Sequence, residues 1–305
     1  MIEETKNVFG EIEVPPEFYV FHDESGSYNS GDWVFTGLLW VNKESIKKIC
    51  EYLQNVRKDL NYNGEIHFNK FPKSFNGDFG RKAQVAKEWF NLWKEKISNI
   101  SYFNVLAVNR THKKYDHKRF TKDFHAYNRF TSITLKSGLS WFFKDEKTIK
   151  LRIFSDEKTR RPKGILGDGI DCDNFEEYLI RRLKEDTKNY KGPKVKLLNQ
   201  VECISCPQRG PYPYAQELLQ LLDLLLGAVA TAVEPKTTRE TKMWFAKEIM
   251  PLIKDIRKEP WNQEFGLHRR FSLSYFPDEK GLIYNNGPLG IIGMDNSKLN
   301  LFDYN

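Results

Sequence analysis

Three aspartates far apart in the chain, Asp23, Asp156 and Asp223, sit where their carboxylates could do chemistry. Asp23 follows the apolar stretch Phe-Tyr-Val-Phe-His at 18–22, and Asp156 follows a second apolar stretch at 149–155. Each stretch predicts a strand, and in α/β sheets ligand chemistry collects at the carboxyl ends of strands. Asp223 lies inside a leucine-rich run. At ~100° per residue, Gln216, Gln220, Asp223, Gly227, Ala230 and Glu234 share one stripe roughly 80° wide. The leucines at 218, 219, 221, 222, 224, 225 and 226 cover the remaining girth. A helix apolar over most of its circumference is buried. A carboxylate on it must be neutralised, paired or bound to a cation.

Each acid has a plainer reading when taken singly. Asp before Ser-Gly is a favoured way for a chain to leave a strand by a turn. Asp156-Glu157-Lys158 reads as solvated loop, and Asp223 as a buried aspartate bonded to a backbone amide or a lysine. The conjunction says more. Mg²⁺ takes oxygen ligands and keeps several waters, so a few converging carboxylates hold it. Two such ions about 3.5–4 Å apart activate a water and stabilise the leaving oxygen of a phosphodiester. His67 is a candidate proton carrier, with a structural role as the alternative. His22, just before Asp23, is expected to pack on the far side of its strand.

The elements that must position these groups follow from apolar periodicity. Strands are predicted at 18–22, 33–41, 102–108, 149–155 and 195–204, the first two joined as a hairpin. Helices are predicted at 44–60, 81–97, from about 122 to 143, and at 174–186, 214–233 and 241–257. Residues 61–80 read as irregular. Two antiparallel strands, inserted helices, a third strand, then strand and helix in alternation imply a mixed sheet flanked by helices. The expected organisation is an N-terminal segment (1–16), an α/β domain with helical insertions (17–235), and a closing helix with an irregular tail packed on the core (236–305).

Over about residues 16 to 235 the sequence resembles the family known as domain of unknown function 3800, grouped with the ribonuclease-H-like nucleases. The resemblance is carried by Asp23-Glu24-Ser25-Gly26, Glu65-Ile66-His67, the strand-end Asp156 and Gln220-Leu221-Leu222-Asp223-Leu224. It implies a ribonuclease-H-like mixed sheet of about five strands and an acidic cluster binding Mg²⁺ or Mn²⁺. Asp23 would bridge two metals, Asp156 and Asp223 would complete the cluster, and Glu65 would be the fourth acid. The ribonuclease-H pattern places its second acid on the helix after the third strand. Glu65 precedes that strand, so Asp123 stands as the alternative. The implied activity is hydrolysis of DNA or RNA; the rival is a module of the same fold that binds nucleic acid or a partner without chemistry. Hydrolysis of a small nucleotide is a third possibility.

Composition is compatible with this and excludes other classes. The chain has 305 residues, 40% of them apolar and 14% aromatic, enough for one bulky core. A net charge of +7 suits a polyanionic partner. Lys113, Lys114, Lys118 and Arg119, and Arg160, Arg161 and Lys163 just beyond Asp156, are candidate phosphate contacts. Tyr115, Tyr212 and Tyr214 could stack on bases. Four cysteines make no disulfide scaffold, and Cys203 and Cys206 have no second pair to complete a zinc site. There is no P-loop, dinucleotide glycine fingerprint, H-E-x-x-H or nucleophile elbow. The acidic start has no apolar signal segment. The apolar run 218–233 is shorter than the ~20 residues of a membrane span, so a cytoplasmic protein is expected.

Overall fold

The computed structural model describes residues 14–26, 31–118, 123–156, 175–184, 192–199, 201–204, 212–258, 270–277 and 284–285. β1 (Glu17–Ser25) and β2 (Trp33–Asn42) form the expected antiparallel pair, and β3 (Ser101–Asn109) adds antiparallel to β2. β4 (Thr148–Asp156) returns beside β1 in parallel. Between β2 and β3 lie α1 (Ile46–Asp59) and α2 (Gly77–Glu95), and α3 (Asp123–Phe142) makes the crossover into β4. Parallel neighbours need such a connection, since no tight turn can join them. The architecture is the expected α/β class, a mixed sheet flanked by helices with helical insertions.

Among the described residues the sheet has eight strands rather than about five. The stretch expected as one strand at 195–204 is two, β5 (Lys194–Leu197) and β6 (Glu202–Ile204), which pair with successive parts of β4. α4 (Phe175–Lys184) precedes them. The tail is not wholly irregular: β7 (Phe271–Phe276) pairs in parallel with β3, and β8 (Tyr284–Asn285) pairs with β7. The order is β5-β4-β1-β2-β3-β7-β8, with β6 also on β4.

Helices cover both faces, so the strands read as near-continuous apolar runs. Alternation along β1 sends Tyr19 and Phe21 into one core and Phe18 and Val20 into the other. The first core is filled by α5 (Pro213–Val233), with α1, α2 and α6 (Glu240–Lys258) around it. The second lies under α3 and α4. α5 is 21 residues, longer than the apolar run seen in the sequence, and is long and apolar enough to cross a membrane by those criteria alone. Its leucines are instead buried between sheet and helices.

Candidate active site

β1 continues through Asp23 to Ser25, so Asp23 is a ladder residue opposite Gly37 and not the first residue of a turn. The parallel β1–β4 register runs from Glu17↔Lys150 to His22↔Ser155. That ladder ends one residue before Asp23 on β1 and Asp156 on β4. His22 and Ser155 point to the α3 side. There His22 Nδ1 lies 2.9 Å from Ser155 Oγ, and Nε2 lies 3.2 Å from Thr131 Oγ1. His22 is therefore on the far face, as expected, and wholly buried. Phe21 and Phe154 stack on the opposite face, centroids 5.4 Å apart, and strand alternation directs Asp23 and Asp156 to that α5 side too.

Gly37 explains how α5 reaches this point. A Cβ there would lie 2.9 Å from Leu226 Cδ1 and 3.3 Å from Leu222 Cδ1. The missing side chain lets the helix settle onto the sheet next to Asp23, at the turn that carries Asp223. Asp23 is buried and its Oδ1 accepts the Glu24 amide at 2.7 Å.

The polar stripe of α5 is a seam that fastens an extended segment. Gln220 Oε1 accepts the Ile66 amide at 2.7 Å and Arg57 Nη2 at 2.9 Å. Asp223 Oδ2 accepts the Phe68 amide at 2.7 Å and faces His67 Nδ1 at 3.0 Å. At Gly227 a Cβ would sit 2.3 Å from Phe68 Cγ. The two alternate amides of the segment thus meet residues three apart on the helix, and the Phe68 ring meets Gly227 four residues further on. Arg57 secures the near end, donating to Gly64 O at 2.7 Å and pairing with Glu217 at 3.1 Å.

A carboxylate only accepts, so the Asp223 bond puts the proton on His67 Nδ1 and leaves Nε2 as the basic nitrogen. The hydrogen bond to Asp223 raises the His67 pKa above its usual value, against the opposing effect of burial. Glu65 pairs with Lys70 at 3.2 Å rather than with another acid. Asp123 begins α3. Lys113 and Lys114 are exposed beyond β3. Arg119, Arg160, Arg161 and Lys163 lie outside the described residues.

Among the described residues, no three of His, Cys, Asp and Glu converge closely enough to hold a metal ion between them. A closed cage of four acids is therefore not assembled there. Mg²⁺ asks for less: one or two carboxylates, waters and substrate phosphates. Asp23 and Asp156, hard oxygen donors at neighbouring strand ends, fit that requirement.

Sequence reasoning missed Gln220 and Arg57 as the groups that seat the Glu65–Phe68 segment, although Gln220 was on the stripe. It also missed Lys242. This lysine lines a cavity of about 350 Å³ with Ser25, Gly26, Trp33, Phe68 and Gly227. Nothing in the local sequence of α6 marks it, because its position depends on how α6 packs.

No family model matches the chain, and no curated protein does. Among solved structures it is similar to the ribonuclease H2 from Pyrococcus horikoshii OT3, at 11% identity and a TM-score of 0.38. The likeness covers 83% of this chain and 95% of that one. The strand order and directions, rather than this likeness, define the class as a mixed α/β sheet flanked by helices.

Proposed function

We propose that this protein is a divalent-metal-dependent nuclease that hydrolyses phosphodiester bonds of DNA or RNA, and that it belongs with the family its sequence resembles. The supporting observation is the parallel β1–β4 ladder, whose last pair, His22↔Ser155, immediately precedes Asp23 and Asp156, together with the seating of α5 on Gly37 opposite Asp23. Asp23 and Asp156 would hold Mg²⁺ or Mn²⁺; in the two-metal form Asp23 would serve both ions, with Asp223 completing the set and Glu65 as the fourth acid. Bound there, the ion supplies a Lewis acid and a water of lowered pKa. His67, oriented by Asp223, would carry a proton through Nε2. Lys113 and Lys114 would bear on the phosphate backbone, with Arg119, Arg160, Arg161 and Lys163 from loops outside the described residues.

One observation favours the rival, a binding module without chemistry. Asp223 Oδ2 is already used by Phe68 and His67, which is a sufficient structural reason for that acid. Labelled single- and double-stranded DNA and RNA, incubated with purified protein and Mg²⁺ or Mn²⁺, separate the two. The nuclease reading expects cleavage that stops with EDTA and in Asp23→Asn and Asp156→Asn proteins. Cleavage that survives both substitutions contradicts it. Salt-sensitive binding without turnover would select the rival.

A further inference from the structure

The cavity beside the acids has a chemistry of its own. Ser25 and Gly26 bring it to within three residues of Asp23, and Gly227 lies one helical turn beyond Asp223. Gly26 adopts φ +98°, and a Cβ there would lie 2.6 Å from Trp33 O, so the chain leaves β1 tightly against the cavity wall. The wall carries three aromatic rings, Trp33, Phe35 and Phe68, of which Trp33 is only partly buried.

The two lysines on the wall differ. Lys236 is neutralised by Glu234 at 2.9 Å and Asp32 at 3.3 Å. Among the described residues Lys242 meets the Asn69 side-chain oxygen at 3.3 Å and the face of Phe68, 5.1 Å from the ring centroid. No carboxylate among the described residues pairs with it. Arg239, close by, donates to the carbonyls of Asn69 and Phe71 and adds positive charge. Burial, then Arg239, lowers the Lys242 pKa, while Asp223 acts in the opposite direction. Among the described residues the half-buried ammonium therefore has no carboxylate paired with it, yet it lies within electrostatic reach of Asp223.

We infer that this cavity is a subsite for one unpaired nucleotide of a strand passing the acids, with a phosphate on Lys242 and the base against Trp33. The inference rests on the nuclease reading for its substrate class. A volume of about 350 Å³ is near the lower end for ligand pockets, suited to a single base and not to a duplex. An aromatic platform beside an uncompensated cation is the usual means of gripping a single strand.

The test is binding of a short labelled single strand and of a blunt duplex of the same sequence, by fluorescence anisotropy in EDTA, across a salt series. The wild-type full-length protein should prefer the single strand. Lys242→Met should weaken single-strand binding roughly tenfold and flatten the slope of log K against log salt by about 0.7. Lys242→Arg should restore both, and Trp33→Leu should weaken the single strand while sparing the duplex. All variants are compared at matched melting temperature. Unchanged affinity and slope in Lys242→Met overturn the subsite, as does a free nucleoside monophosphate binding as tightly as the strand. Neither result touches the nuclease reading, which stands or falls on cleavage by Asp23→Asn protein.

Discussion

Asp223 serves the fold before it serves any reaction, because one of its oxygens closes the Phe68 amide and orients His67. Removing an acceptor of that kind costs about 1.5–3 kcal/mol. Asp223→Ala should therefore lower stability by that order in urea unfolding, and Asp223→Asn by less, since an amide oxygen can still accept from Phe68. An undiminished melting temperature in Asp223→Ala would show that the seam does not depend on it. His67 gives a pH signature in protein kept metal-free with EDTA. Its folded pKa is raised, chiefly by the Asp223 bond, above the ordinary 6.5. The stabilisation from this pair is thus complete below 6.5 and lost as pH rises through the higher folded value. NMR titration of the imidazole should show the raised value in wild type and its return toward 6.5 in Asp223→Asn. The stripe bearing Asp223 was legible in the sequence because helical spacing sorts six side chains by angle. Its partner was not. Nothing local to Ile66 or Phe68 says that their amides face a helix more than a hundred residues away.

At the scale of elements, two contacts hold the strand ends and the helix in place. The buried His22–Ser155 bond joins β1 to β4 immediately before Asp23 and Asp156. His22→Leu leaves Ser155 and Thr131 to find other partners in a buried layer, and should destabilise the protein by about 1–3 kcal/mol. Gly227 sets the depth of Phe68 against α5. Alanine favours a helix over glycine by about 1 kcal/mol, so helix propensity alone argues for a gain. The Phe68 ring, wedged by Phe71 at 5.2 Å and Phe245 at 6.0 Å, leaves no room for that methyl. Gly227→Ala should thus destabilise by about 1–3 kcal/mol in urea unfolding; a stabilised variant would show that the segment yields. Most strands and helices were legible from periodicity. β7 could have been: Phe271, Leu273 and Tyr275 alternate with Ser272 and Ser274, a period of two. The division of 195–204 could not, because it depends on which parts of β4 the chain meets.

At the scale of the whole molecule, chain topology does what no local motif does. A parallel return of β4 to β1 pairs the residues immediately before two acids more than a hundred residues apart, and Gly37 lets α5 descend opposite the first of them. The sequence could place each acid at the end of a strand or on a buried helix. It could not supply the register, which follows from the packing of both sheet faces, nor the Lys70 partner that holds Glu65 apart. The central claim is that the carboxylates of Asp23 and Asp156 form a divalent-cation site beneath α5. Crystals soaked in Mn²⁺ and read for anomalous density test it most directly. The account predicts a peak bridging those two carboxylates on the α5 face, absent from Asp23→Asn crystals. Well-ordered carboxylates with no peak between them would contradict it.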